Sequence, residues 1–412
     1  MSNDAIAVLQ RKTIRTLTAG QILSGFGLGS TLSIGALLAK ELSGSESWSG
    51  AAATFSTLGA AIWAIPLSRV AYAKGRRVAL ALGASLAITG AMLVITAAAI
   101  KFFPLLLVAL FLLGAGSATG LQARFAANDL PSTKAPGRDL SLVVWATTVG
   151  AVTGPNMFGP GQIVGDFFHL PHLTGPFLLT ITAQLSASLV FFFGLNPDPL
   201  KTAQSMQVAK AAKGKISLRS AFETLRDHPV AAYAMTSIAL SHMVMVSVMS
   251  MTPVHMQHEG AGLTIIGFVI SFHIAGMYAF SPIFGWLADK IGRIQTVILG
   301  QAIYVASLII SATSGSNQVQ ITIGLFLLGL GWSAATVSGS SLLSASLPAE
   351  QKTNVQGVSD SAMQFSGAFG GAVAGSILAA FYFGGLNIAA LIPVSIVLAL
   401  SGFAFLRSRR AN

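Results

Sequence analysis

The chain has 412 residues, of which 53% are hydrophobic and only 9% charged, with a net charge of +11. Soluble domains carry about 25% charged residues, so a water-soluble fold of this length is excluded and an integral membrane protein is left. The basic excess does not point to nucleic acid, because Lys and Arg gather in alternate segments between apolar runs, as orientation in a bilayer requires.

Taken in chain order, "MSNDAIAVLQRKTIRTLTAG" reads as a short cytoplasmic tail entering a first span, not as a signal peptide. Long apolar runs predict spans at 17–38, 49–67, 78–100, 103–126, 140–162 and 175–194. Within the fifth, "GAVTGPNMFGPG" partly matches a Gly-Pro motif of antiporter-like transporters, but it reads more simply as a kink with neighbouring helices satisfying the freed backbone groups. The polar segment 195–229 follows, with Lys201, Lys210, Lys213, Lys215, Arg219 and Arg226, and its "SLRSAFETLRDHP" suggests a short amphipathic interfacial helix. Further spans are predicted at 230–252, 264–286, 294–314, 319–346, 355–383 and 386–406.

The expected fold is therefore an all-α membrane protein with 12 transmembrane helices. Residues 1–194 form one six-helix half, 195–229 a basic cytoplasmic linker and 230–412 the second six-helix half. All Lys and Arg except Lys40 and Lys101 fall on the side of the termini and linker, which predicts that both termini are cytoplasmic. An internal repeat supports the division: "LLGAGSATGLQARFAANDLP" (112–131) and "LLGLGWSAATVSGSSLLSASLP" (327–348) open and close alike, each at the fourth span of its half. Two joined six-helix halves describe a rocker-switch transporter. The 43 glycines suit close helix packing in a bilayer.

The loop between spans 8 and 9, "GWLADKIGR", carries Gly285, Asp289, Gly292 and Arg293. This spacing resembles the cytoplasmic loop signature of the major facilitator superfamily. The resemblance implies a loop that locks the two halves on the cytoplasmic side through charge and helix-end contacts. The matching first-half loop, "PLSRVAYAKGRR", keeps Gly75, Arg76 and Arg77 but has no acidic residue, which puts that half's charge lock in doubt.

Six of the 12 methionines lie between 235 and 256: Met235, Met243, Met245, Met249, Met251 and Met256. Methionine is an adaptable core filler, and packing is the plain reading of such a stripe. The next span holds His273 and Met277, a pair on one helix face like Met245 and Met249. Thioethers are soft donors and imidazole a borderline one, a set that selects monovalent copper over hard cations. A histidine at membrane depth marks a functional site by default. His242 shares the face of Met245 and Met249 and is either a further ligand, an orienter of the site or a packing residue.

MxxxM on span 7 with HxxxM on span 8 resembles the CcoA-type copper importers, a bacterial branch of that superfamily. The resemblance implies copper import across the inner membrane for cuproenzyme assembly, cytochrome oxidase among them, with Met245, Met249, His273 and Met277 as ligands. Relatives carry assisting cysteines, whereas this chain has none. No prosthetic group is expected, and copper is substrate. The expected partners are the lipid bilayer and periplasmic or cytoplasmic copper chaperones, not nucleic acid. His169 and His172, with His255, Met256 and His258, are candidates for a periplasmic collecting surface. Asp360 and Asp139 are candidates for proton coupling, although helix capping or solvation accounts for both.

The competing transporter reading is an organic solute such as riboflavin or an amphipathic drug, bound by Trp63, Trp145, Phe158, Phe272, Tyr278 and Phe280. An enzyme is not expected, since H-E-x-x-H, G-x-S-x-G and paired intramembrane carboxylates are all missing.

Overall fold

The computed structural model describes residues 3–44, 48, 51–130, 136–153, 158–206 and 218–410. Lys210, Lys213 and Lys215 of the linker lie outside them. Seven helices come first: α1 (Asn3–Ser43), α2 (Ala51–Lys74), α3 (Arg76–Ala99), α4 (Phe103–Ala126), α5 (Pro136–Thr153), α6 (Phe158–Phe167) and α7 (Gly175–Gly194). The linker contributes α8 (Pro199–Met206) and α9 (Leu218–Asp227). The remainder is α10 (Pro229–His258), α11 (Leu263–Tyr278), α12 (Ser281–Lys290), α13 (Arg293–Ala312), α14 (Gln318–Ala345), α15 (Ala349–Ala389) and α16 (Leu391–Arg410).

Eight stretches among the described residues are long and apolar enough to cross a bilayer. The last of them, Ala349–Ala404, is 56 residues long and takes in both predicted segments 355–383 and 386–406. The predicted segments 17–38, 49–67 and 140–162 fall on α1, α2 and α5–α6 and are not among the eight; residues 49–50 and 154–157 lie outside the described set.

The chain packs as two compact units. Unit 1 comprises Met1–Lys134, Leu142–Ala221 and Pro348–Ser361, and unit 2 comprises Ala135–Ser141, Phe222–Leu347 and Ala362–Asn412. Two short segments thus leave their sequence half. The opening of α5 packs in unit 2, and the opening of α15 packs in unit 1.

Lipid is as apolar as leucine, so helices in a bilayer are held by close packing and interhelical hydrogen bonds. Glycines supply the closeness here. In unit 1, a side chain on Gly59 would strike the Phe111 carbonyl and one on Gly114 the Ser56 carbonyl, so α2 and α4 touch backbone to backbone. In unit 2, Gly276 meets the Phe326 carbonyl and Gly329 the His273 carbonyl in the same way, joining α11 to α14. The two contacts are equivalent: the LLGxG repeat supplies Gly114 and Gly329, and each packs the fourth predicted span of its half on the second.

The Gly-Arg pairs of the two loops also have one physical role. Gly75 and Gly292 open α3 and α13 with φ of 95° and 110°, a region that L residues rarely occupy. Arg76 and Arg293 are the first residues of the helices that follow.

Candidate functional site

The equivalence of the two contacts isolates what differs. Ser56 and Ala60 of α2 occupy the positions that His273 and Met277 hold on α11. Unit 2 has therefore placed an imidazole and a thioether where unit 1 keeps a small hydroxyl and a methyl.

His273 is fully buried, and its Nδ1 lies 2.8 Å from the Leu325 carbonyl of α14. A carbonyl only accepts, so Nδ1 carries the proton and Nε2 the lone pair. Nε2 has no hydrogen-bond partner among the described residues. Leu325 can reach the ring because Gly276 and Gly329 let the two backbones meet. Leu325 belongs to an apolar cluster of unit 2 in which Met245 and Met277 are buried together with Val244, Val248 and Leu328, and half-buried Met249 packs against that cluster. The structure thus brings α10's methionine pair and α11's Met277 into the cluster that anchors His273. The imidazole is held as histidine ligands usually are, one nitrogen fixed by a backbone carbonyl and the other presented.

His242 is held differently. Its Nδ1 lies 3.0 Å from Trp332 Nε1, and indole N–H only donates, so this lone pair is used. The proton of the neutral ring is then on Nε2, which leaves His242 no lone pair for a metal while the bond to Trp332 stands. Trp332 also meets Tyr278 edge-on at 5.5 Å, tying α10, α11 and α14 together. Sequence reasoning missed Trp332, whose only signal was an aromatic residue inside the second LLGxG repeat.

One face of α14 carries Ser333, Thr336 and Ser340, all fully buried, at spacings of three and four. Many helix hydroxyls elsewhere bond back to the carbonyl four residues earlier, as Thr119 does to Ala115 and Thr252 to Val248. These three, like Ser338 and Ser341 on other sides of the helix, have no partner among the described residues, so α14 carries several buried hydroxyls at membrane depth.

Other candidates are dispersed. His255 donates Nε2–H to the Gly315 carbonyl at 2.9 Å and stacks on Phe383 at 4.3 Å, and Met256 is interior to the unit 2 cluster. His258 and His169 are exposed, and His172 approaches Glu41 at 3.9 Å. Among the described residues no three of His, Asp and Glu gather as a metal site. Tyr278 is engaged with Trp332, and Trp63 pairs with Phe111 at 6.3 Å. Phe272 and Phe280 both pack on Phe326, and Trp145 is 38% exposed. The side chain of Phe158 lies outside the described residues.

Asp139 sits in the first turn of α5, where a carboxylate complements the helix dipole. Asp289 caps the same turn from α12, accepting the N–H groups of Gly137 at 2.9 Å and Arg138 at 3.0 Å, with Gly285 against Ser141. In unit 1 the acid missing from loop 66–77 comes from elsewhere. Asp198 accepts Arg77 N–H at 2.7 Å and Lys201 N–H at 3.0 Å, and Lys201 donates to the Tyr72 carbonyl. Buried Arg76 binds Asp129 at 2.8 Å and Gln356 at 2.8 Å. Arg124 pairs with Asp360, which is fully buried. Apart from the local bond of Lys201 to Asp198, none of these partners could be read from spacing, since each is 53 residues or more away.

Two units of long apolar helices, with buried ion pairs in unit 1 and buried polar groups that have no partner among the described residues, define a multi-pass membrane protein. The family model for the Major Facilitator Superfamily matches residues 17–272 and 234–412, and the chain belongs to that superfamily. It is 36% identical over 396 residues to the MFS-type transporter YdeG of Bacillus subtilis, covering 94% of this chain and 91% of that one. The riboflavin transporter RfnT of Brucella anthropi is 27% identical over 376 residues, 90% of each chain. In fold it resembles the human organic anion transporter MFSD10, with a TM-score of 0.73 at 15% identity, covering 95% of this chain and 99% of that one.

Proposed function

We propose that the protein is a secondary transporter that moves an organic solute with aromatic and hydroxyl-bearing parts across a bacterial inner membrane, by alternating access. The observation that carries this reading is the likeness to RfnT along 90% of both chains. The buried hydroxyls of α14, Thr336 and Ser340 among them, support it, because a polyol chain can satisfy hydroxyls that have no partner among the described residues. Riboflavin is the first solute to test. Saturable uptake of labelled riboflavin into proteoliposomes is expected, reduced about tenfold or more by Thr336→Val with Ser340→Ala. Absence of saturable uptake by a folded protein would refute this reading.

A second reading, import of monovalent copper, is favoured by one specific observation. His273 Nε2 has no partner among the described residues, and Met245, Met249 and Met277 belong to or pack on the apolar cluster that contains Leu325, the residue anchoring Nδ1; imidazole and thioether are neutral donors that suit a soft cation without carboxylates. The membrane potential alone would draw the ion inward at about 2.3 kcal/mol per 100 mV. Copper uptake under reducing conditions, lost in Met249→Leu and His273→Ala while riboflavin uptake is absent, is the result that would replace the first reading with this one.

A further inference from the structure

α1 and α7 pack antiparallel in unit 1. A side chain on Gly194 would overlap Thr16, one on Gly20 would overlap Phe191, and Gln184 donates to the Ser24 carbonyl at 3.3 Å. The level of residue 16 on α1 is thus the level at which α7 ends and the chain leaves the span. At this level an open groove of about 510 Å³ runs between the helices, lined by Arg15, Thr16, Ala19, Leu189, Phe193 and Gly194. This volume falls in the range of about 300–1,000 Å³ usual for small-molecule sites.

The lining is divided by polarity. Leu189 and Phe193, one turn apart on α7, are 49% and 66% exposed, so an apolar wall faces outward along the span. At the end of the groove stands Arg15, with exposed Arg11 one turn further out on the same face of α1. Neither arginine pairs with a carboxylate among the described residues. Lys12 is tied down, donating to the Asn196 carbonyl just past α7. A spanning helix face this apolar lies against lipid, and a cation pair at the depth where the helix exits stands at headgroup level.

The geometry points to a binding site for one anionic phospholipid, its acyl chain laid in the groove along Leu189 and Phe193 and its phosphate on Arg15 and Arg11. Arginine suits this role because its planar fork binds phosphate through paired hydrogen bonds. The charge asymmetry of the sequence places this end on the cytoplasmic face, whose leaflet is anionic. The site is separate from the transport reading and holds whichever solute is carried.

The test is native mass spectrometry of the full chain in detergent, titrated with phosphatidylglycerol and, separately, phosphatidylcholine. Preferential retention of one phosphatidylglycerol is expected. Arg15→Gln should weaken it about fivefold, equivalent to about 1 kcal/mol for one basic residue at a lipid surface. Leu189→Trp, which fills the groove and keeps the charge, should weaken it as well. Unchanged melting of both variants without added lipid checks their folding. Equal retention of the two lipids would overturn the site. So would loss in Arg15→Gln with full retention in Leu189→Trp, which would reduce it to surface charge.

Discussion

The ion pair of Arg124 with Asp360 offers the sharpest test of how unit 1 holds the opening of α15. Both side chains are out of contact with solvent, at 3% and 0% exposure. Asp360→Asn keeps the volume and removes the charge. Arg124 would then lose the buried carboxylate it pairs with, while Arg76 keeps Asp129. Removing one member of a buried pair costs about 3–5 kcal/mol, because the surviving charge stays desolvated without compensation. At 1.4 kcal/mol per tenfold, the ratio of folded to unfolded protein falls by a factor on the order of 10²–10⁴. Replacing both residues, Arg124→Met with Asp360→Leu, removes the charges together and should restore stability to within about 1 kcal/mol of the native chain. Thermal melts in one detergent, followed by tryptophan fluorescence, compare the three proteins. A single variant that melts like the native chain, or a double variant as unstable as the single, refutes the argument.

Three further outcomes are expected. Asp289→Ala removes a carboxylate from two backbone N–H groups at the start of α5, at a cost of about 1–2 kcal/mol, whereas Asp289→Asn should retain part of the cap; melting curves measure both. Asp198→Ala should release α8 from the start of α3 and make the segment after Gly194 more sensitive to limited proteolysis, with no such change in Thr202→Ala. Trp332→Phe keeps the contact with Tyr278 but loses the donor to His242, so the ¹⁵N shifts of labelled histidine should show His242 Nδ1 losing its hydrogen bond while His273 stays fixed. Unaltered His242 shifts would show that the tautomer is set by another group.

The sequence by itself settled the solvent and the fold class. Nine per cent charge across 412 residues leaves too little polar surface for water, and runs of apolar residues this long form helices because a bilayer leaves no other way to satisfy the backbone. The repeat was legible too, since the LLGxG glycines recur wherever the fourth span must touch the second. The loop glycines at 75 and 292 were readable as motif, and their positive φ supplies the reason.

Partners were not legible, because periodicity encodes which face of a helix is buried but not what lies against it. The first-half loop looked deprived of its acid, yet Asp198, far along the chain, takes that place. The role of His242 stayed open between ligand, orienter and packing residue, whereas His273 was legible as a candidate ligand from its motif. Only the packing of α14 separated them, giving one an indole N–H that occupies its lone pair and the other a carbonyl that leaves the lone pair presented. The chemistry of an imidazole follows from which atom its neighbour offers, and that is decided by tertiary structure.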